Sequence, residues 1–232
     1  MKNVFVHTQN VKNFIAPMRE AEKIKSEPAL LVFYGQAGRG KTSAARFFAA
    51  QEGWCYVRAL RGWTELWMLQ DFCFELGVDP IPGRKKPAFE AIKRTLLSTG
   101  RTVVVDEADK LSETLLDWIR DLADVSLTPF ALVGELLIRH KMEKEKRIWS
   151  RTHQCVEFGP ITTTDILFFA KQAADLALTA NQGEMIREAS DGDFRLVARD
   201  VRRLEDMIAV NKPDKISDDL VRMAIKQGLR GK

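Results

Sequence analysis

"GQAGRGKT", Gly35 to Thr42, stands between the apolar run "ALLVFYG" and the helix-like "KTSAARFFAA". Gly35, Gly40, Lys41 and Thr42 match the spacing G-x-x-x-x-G-K-[ST] of a phosphate loop. In such a loop the backbone N–H groups of Gln36, Ala37, Gly38, Arg39 and Gly40 turn inward around phosphates. The N-terminal end of the next helix, with Ser43 in its first turn, adds its positive dipole end. Lys41 reaches the β- and γ-phosphates, and the Thr42 hydroxyl is a magnesium ligand. The alternative, a glycine-rich turn with an exposed lysine, would not require a strand before it and a helix after it.

Further along the chain is "VVVDEAD". A buried strand ending in Asp-Glu places two carboxylates beside the phosphate loop. Asp106 is then the expected holder of the magnesium and Glu107 the residue that polarises the attacking water. Acids at a strand end are common, so this motif gains its meaning from the loop that precedes it.

Working outward, "WCYVRAL" reads as a second strand and "TELWMLQDFCFELG" as a helix begun by Thr64 and closed by Gly77. "PAFEAIKRTLLSTG" reads as a helix ending near Gly100. "LSETLLDWIRDLAD" is a helix with Ser112 as N-cap and Leu115, Ile119 and Leu122 on one face. "PFALVGE" and "HQCVEFGP" are further strands. Strands that are apolar almost throughout and alternate with helices imply a parallel sheet covered on both faces. After Pro160 every segment reads as helix. The expected architecture is an α/β domain over residues 1–158 followed by a small helical domain over 159–232.

The composition, 45% hydrophobic and 29% charged, is that of an ordinary globular chain. No apolar stretch is long enough to cross a bilayer, and the N-terminus lacks the pattern of a signal peptide. Cys55, Cys73 and Cys155 are scattered and odd in number, which suggests reduced core residues and a cytoplasmic protein. From Gly159 onward 12 Lys/Arg face 12 Asp/Glu, so the net charge of +4 arises wholly before that point. It is concentrated in "RHKMEKEKRIWSR", Arg139 to Arg151, with a second basic stretch in "GRKKPAFEAIKR", Gly83 to Arg94. Taken alone, each stretch reads as a solvated helix face.

Strand, phosphate loop, Asp-Glu strand and helical tail in this order resemble the AAA+ ATPases. The narrower resemblance is to the MuB/TnsC group of transposition target-capture ATPases. It is carried by "FVHTQNVKNF", "YGQAGRGKTSAARFFA", "VVVDEADKL", "ALVGELLIRH" and "IWSRTHQCVEFGPIT". The resemblance implies ATP with Mg²⁺ as cofactors, a P-loop sheet followed by a helical lid, and double-stranded DNA and a transposase as partners. It also implies a homo-oligomer, a ring or helical filament, in which an arginine finger reaches a neighbour's γ-phosphate. By position that finger is Arg151, with Arg147 one helical turn earlier as the competing choice. Arg195 in "GDFRLV" matches the sensor arginine of the lid. Asn10 and Thr8 fall at the adenine pocket, Thr8 being equally readable as an N-cap. Candidates for DNA-backbone contact are Arg58, Arg61, Arg84, Lys85, Lys86 and Arg94.

Two departures bear on the resemblance. The polar sensor position after "ALVG" is Glu135, a carboxylate that phosphate charge would repel, so the expectation is either slow hydrolysis or a Glu135 that faces elsewhere. The chain also begins shortly before the phosphate loop, so DNA contact is expected from the ATPase body itself. The competing readings are a helicase loader or replication-initiator-like ATPase, and a secretion-type ATPase with a protein partner.

Overall fold

The computed structural model describes residues 1–2, 4–24, 26–211, 213 and 215–229. In chain order the elements are α1 (Gln9–Ala21), β1 (Leu30–Tyr34), α2 (Lys41–Glu52), β2 (Cys55–Arg58), α3 (Glu65–Leu76), α4 (Lys85–Thr99) and β3 (Val103–Asp106). A single 3-10 turn at Ala108–Lys110 leads to α5 (Glu113–Ser126), β4 (Phe130–Gly134), α6 (Leu136–Lys144), α7 (Lys146–Trp149) and β5 (Thr152–Glu157). Then come α8 (Thr163–Ala174), α9 (Ala180–Ser190), α10 (Phe194–Asn211) and α11 (Asp218–Leu229).

The strands form one parallel sheet in the order β2-β3-β4-β1-β5. β1, β3 and β4 are buried along their whole lengths, because helices cover both faces. One face carries Leu30, Val32, Val57, Val103, Val105 and Leu132 into a core with α3, α4 and α5. On the other face Phe33 packs against Phe14 of α1, which also meets Phe48 of α2 and Phe158. Phe14 and Phe33 are fully buried, each contributing roughly 1.5–3 kcal/mol by removal from water. β5 is an edge strand and only partly covered.

Local chemistry sets the element ends. Thr64 Oγ1 accepts the Trp67 N–H at 3.2 Å to begin α3, and Gly77, at φ 76°, closes it in the left-handed region. Ser112 begins α5 in the same way, accepting the Leu115 N–H. Thr162 with Asp165, and Thr179 with Gln182, form capping boxes at α8 and α9. The basic segment from Arg139 folds as α6 and α7, elements for which the sequence suggested only helical faces.

The chain divides into two compact units. One holds residues 13–36 and 41–158 and contains the sheet. The other holds 159–232 together with 1–12 and 37–40. Its core gathers Ile166, Phe169, Ile186, Val197, Val201, Leu204 and Val221. Val6 joins that core, and the Lys2 N–H donates to Ala173 O at 2.6 Å. The first residues of the chain therefore group with the helices at its end.

Candidate nucleotide site

The phosphate loop begins where β1 ends. Gly35 takes φ 153°, and a Cβ there would lie 2.5 Å from Phe158 O, so only glycine fits. Lys41 is the first residue of α2 and is buried. Its Nζ donates to Gly35 O at 2.8 Å and Gln36 O at 2.7 Å. The ammonium is thus held against two carbonyls of the loop's start. Thr42 and Ser43 follow in the first turn of α2, which carries no acidic residue. Its dipole end is left open to an anion.

Asp106 ends β3 and is 2% exposed. Its Oδ1 accepts the Glu107 N–H at 2.9 Å, and its Oδ2 accepts the Tyr56 hydroxyl at 2.7 Å. Burial, and then the bond to Asp106, push the Tyr56 phenol up to about 12, so it remains a donor at neutral pH. Glu107 adopts φ 55°, a left-handed conformation that costs about 1 kcal/mol for a side-chain-bearing residue. Its carboxylate meets Arg58 Nε at 2.9 Å and also pairs with Lys110. Burial raises its pKa, but the two cations outweigh that effect and hold it below the usual carboxylate range. Arg58, a DNA candidate by sequence, is therefore engaged with Glu107.

The turn after β4 is tied to the turn after β3. Glu135 is exposed, and its N–H donates to Asp109 Oδ1 at 2.9 Å. Lys141 Nζ donates to Asp109 O at 2.5 Å and Leu111 O at 2.7 Å. Arg139 donates to the Tyr34 hydroxyl at 2.7 Å and lies over its ring. Arg151 is 40% exposed and pairs with Asp124 at 2.8 Å, while its Nη1 donates to Arg147 O at 3.1 Å. Arg147 is exposed on α7.

Within the helical unit, the loop tip at 37–40 has its own contacts. The Arg39 guanidinium is 7% exposed; it donates to Asp191 O and lies 3.6 Å from Asp191 Oδ2. The Phe194 N–H donates to Gly38 O at 2.9 Å. Asn10 Nδ2 donates to Gly159 O at 2.8 Å and to Arg39 O at 3.4 Å. Thr8 is the N-cap of α1, its Oγ1 accepting the Val11 N–H at 3.3 Å. Arg195 is exposed in the first turn of α10, 3.6 Å from Asp193. A Cβ at Gly38, where φ is 79°, would lie 2.1 Å from the Asp193 carboxylate. Gly38→Ala is expected to cost about 1–2 kcal/mol from backbone strain alone. That lowers the melting temperature by several degrees, and an unchanged melting curve would show that the contact is dispensable.

The remaining DNA candidates are all exposed: Arg61 in the β2–α3 connection, Arg84 as the N-cap of α4, and Lys85, Lys86 and Arg94 on α4. Lys85 lies 3.4 Å from Glu65, an exposed pair of small worth. Trp54 and Trp63 are core residues, whereas Trp67 and Trp149 are 42% and 37% exposed. Among the described residues no helix is long and apolar enough to cross a membrane.

No group of three His, Cys, Asp or Glu among the described residues is placed to hold a metal ion. What the chain offers is a hydroxyl on Thr42 and a carboxylate on Asp106, both hard oxygen donors. That set fits Mg²⁺, which binds through one or two protein oxygens together with substrate phosphates and water.

Residues 24–142 match the AAA domain family. The chain is 28% identical over 235 residues to the ATP-dependent target DNA activator B of Escherichia phage D108, covering 96% of this chain and 73% of the relative. The protein of the same description from Escherichia phage Mu is 27% identical with the same coverage. Among solved structures, the Aeropyrum pernix ORC2 protein superposes with a TM-score of 0.68 at 19% identity, over 99% of this chain and 69% of that one.

Proposed function

The chain belongs to the AAA domain family; from that premise, and from its similarity to ATP-dependent target DNA activators, we propose that it assembles with ATP on double-stranded DNA without sequence preference and brings a transposase to that target. The observation that carries the reading is the placement of Lys41, Thr42, Asp106 and Glu107 at the loop and strand ends, in a chain whose relatives are named as target DNA activators.

In this reading Lys41 leaves its two loop carbonyls for the β- and γ-phosphates. Thr42 and Asp106 hold Mg²⁺, which when bound neutralises charge on the transferring phosphoryl group. Glu107 orients and polarises the attacking water once its carboxylate is released from Arg58 and Lys110. With both oxygens paired to cations it is a weak base, so turnover in the free protein is slow. Arg151 supplies positive charge to a neighbouring subunit's site. A site completed only between copies makes ATP a determinant of assembly, in a ring or filament.

Arg61, Arg84, Lys85, Lys86 and Arg94 are the residues proposed to follow the DNA backbone, with Arg58 joining them if it releases Glu107. Phosphate contacts give affinity without sequence choice. The test is anisotropy of a labelled random-sequence duplex with ATP and Mg²⁺, with ADP, and without nucleotide. Binding confined to the ATP sample is expected. Lys85→Ala combined with Lys86→Ala is expected to weaken every duplex alike and to reduce the salt slope by about 2. An unchanged slope excludes this pair, and no binding in any nucleotide state removes the DNA reading.

A further inference from the structure

The phosphate loop and the Asp-Glu strand do not account for Tyr56. It stands on β2 beside β3, partly buried, in register with Val104. Packing there would be satisfied by a phenylalanine, yet the hydroxyl has two partners. Arg46 of α2 donates its Nε–H to the phenol oxygen at 3.1 Å and lays its guanidinium over the ring, 5.6 Å from the centroid. A guanidinium has no acceptor, so it fixes the direction of the chain of bonds. The phenol oxygen accepts from Arg46, and its proton must point to Asp106 Oδ2, 2.7 Å away.

Asp106 is held at both oxygens as a result, Oδ1 by the Glu107 N–H and Oδ2 by Tyr56. A carboxylate pinned twice cannot rotate about its terminal bond, so its plane is set before any ligand arrives. Arg46 lies on α2, the helix that opens with Lys41 and Thr42. The bonds therefore tie the carboxylate on β3 to the element carrying the hydroxyl expected to share its cation. Groups that orient a metal-holding carboxylate in this way typically change metal affinity about 10–100-fold when lost.

We propose that Tyr56, braced by Arg46, is the positioning residue that presents Asp106 to the Mg²⁺ of the bound nucleotide. This rests on the reading of Asp106 as the metal-holding residue. Tyr56 touches neither phosphate nor water in the reaction; its effect passes through the carboxylate.

The test uses the full chain and a fluorescent ATP analogue, titrated first in EDTA and then with increasing Mg²⁺. Tyr56→Phe keeps the ring and removes only the hydroxyl. Its affinity for the analogue in EDTA is expected to stay within about two-fold of wild type, while the Mg²⁺ midpoint rises about ten-fold. Arg46→Ala, an exposed change with little risk to folding, is expected to shift the midpoint in the same direction by less, and Arg46→Lys to recover part of that shift. A merely structural role would lower affinity in EDTA and Mg²⁺ together, and that result overturns the proposal. So does an unchanged midpoint, and so does a lower one, which would mean that the hydroxyl competes with the cation for Asp106. Asp106→Asn separates the two levels of the argument. If it leaves the Mg²⁺ midpoint unmoved, the reading of Asp106 fails. If it raises the midpoint and neither Tyr56→Phe nor Arg46→Ala does, only the role of Tyr56 fails.

Discussion

Glu107→Gln is expected to lower ATP turnover by about a hundred- to ten-thousand-fold while leaving nucleotide affinity within a few-fold of wild type. The range is that of losing a positioned general base. Glutamine is nearly isosteric and its one carbonyl oxygen can still accept from Arg58, while its NH2 replaces the oxygen that pairs with Lys110, a partly exposed contact of small worth, so the turn after β3 keeps its shape. The partners of the Glu107 carboxylate are Arg58 and Lys110, neither of them a residue of the phosphate loop. Since ATP is proposed to hold the assembly together, the variant should remain on DNA long after wild-type protein has left. Steady-state phosphate release, analogue binding and the dissociation rate from a labelled duplex measure the three effects. Turnover within ten-fold of wild type would remove Glu107 from the base role, and loss of binding would mean that its pairing with Arg58 and Lys110 is needed for the fold.

Arg151→Ala is expected to reduce turnover by about 10³–10⁵-fold, the contribution of an arginine supplied to a phosphoryl-transfer site. Within its own chain Arg151 pairs with Asp124 and is 40% exposed. A pair so open to solvent holds the side chain by no more than about 1 kcal/mol, which leaves it available to a neighbour. The decisive measurement mixes two inactive variants. Glu107→Gln and Arg151→Ala subunits together should recover activity, because some interfaces join an intact Glu107 to an intact Arg151. A mixture as inactive as its components would return Arg151 to a structural ion pair. Recovery with Arg147→Ala in place of Arg151→Ala would transfer the role to Arg147.

Much of the fold was legible because its signals are local. Thr64, Gly77, Gly100 and Ser112 mark helix ends through bonds to residues a few positions away. The apolar runs of β1, β3 and β4 predict burial on both sides, and all three are buried throughout. The segment from Arg139 to Arg151 was less legible. Its charges suggest a solvated face, whereas Arg139 lies on Tyr34 and Lys141 reaches the carbonyls of Asp109 and Leu111. Long cationic side chains bury their stems and choose partners far away in sequence.

The same division runs through the site. From sequence alone came the phosphate loop, the Asp-Glu pair and the succession of strands and helices along the chain, because backbone conformation and short spacing carry those signals. Tertiary structure alone decided that Arg58 is bound to Glu107, that Tyr56 donates to Asp106 and accepts from Arg46, and that Asn10 bonds the carbonyls of Gly159 and Arg39. Each of these contacts joins residues on different elements. A donor's sequence position says nothing of which acceptor the folded chain will bring within 3 Å, and burial then makes that one partner obligatory.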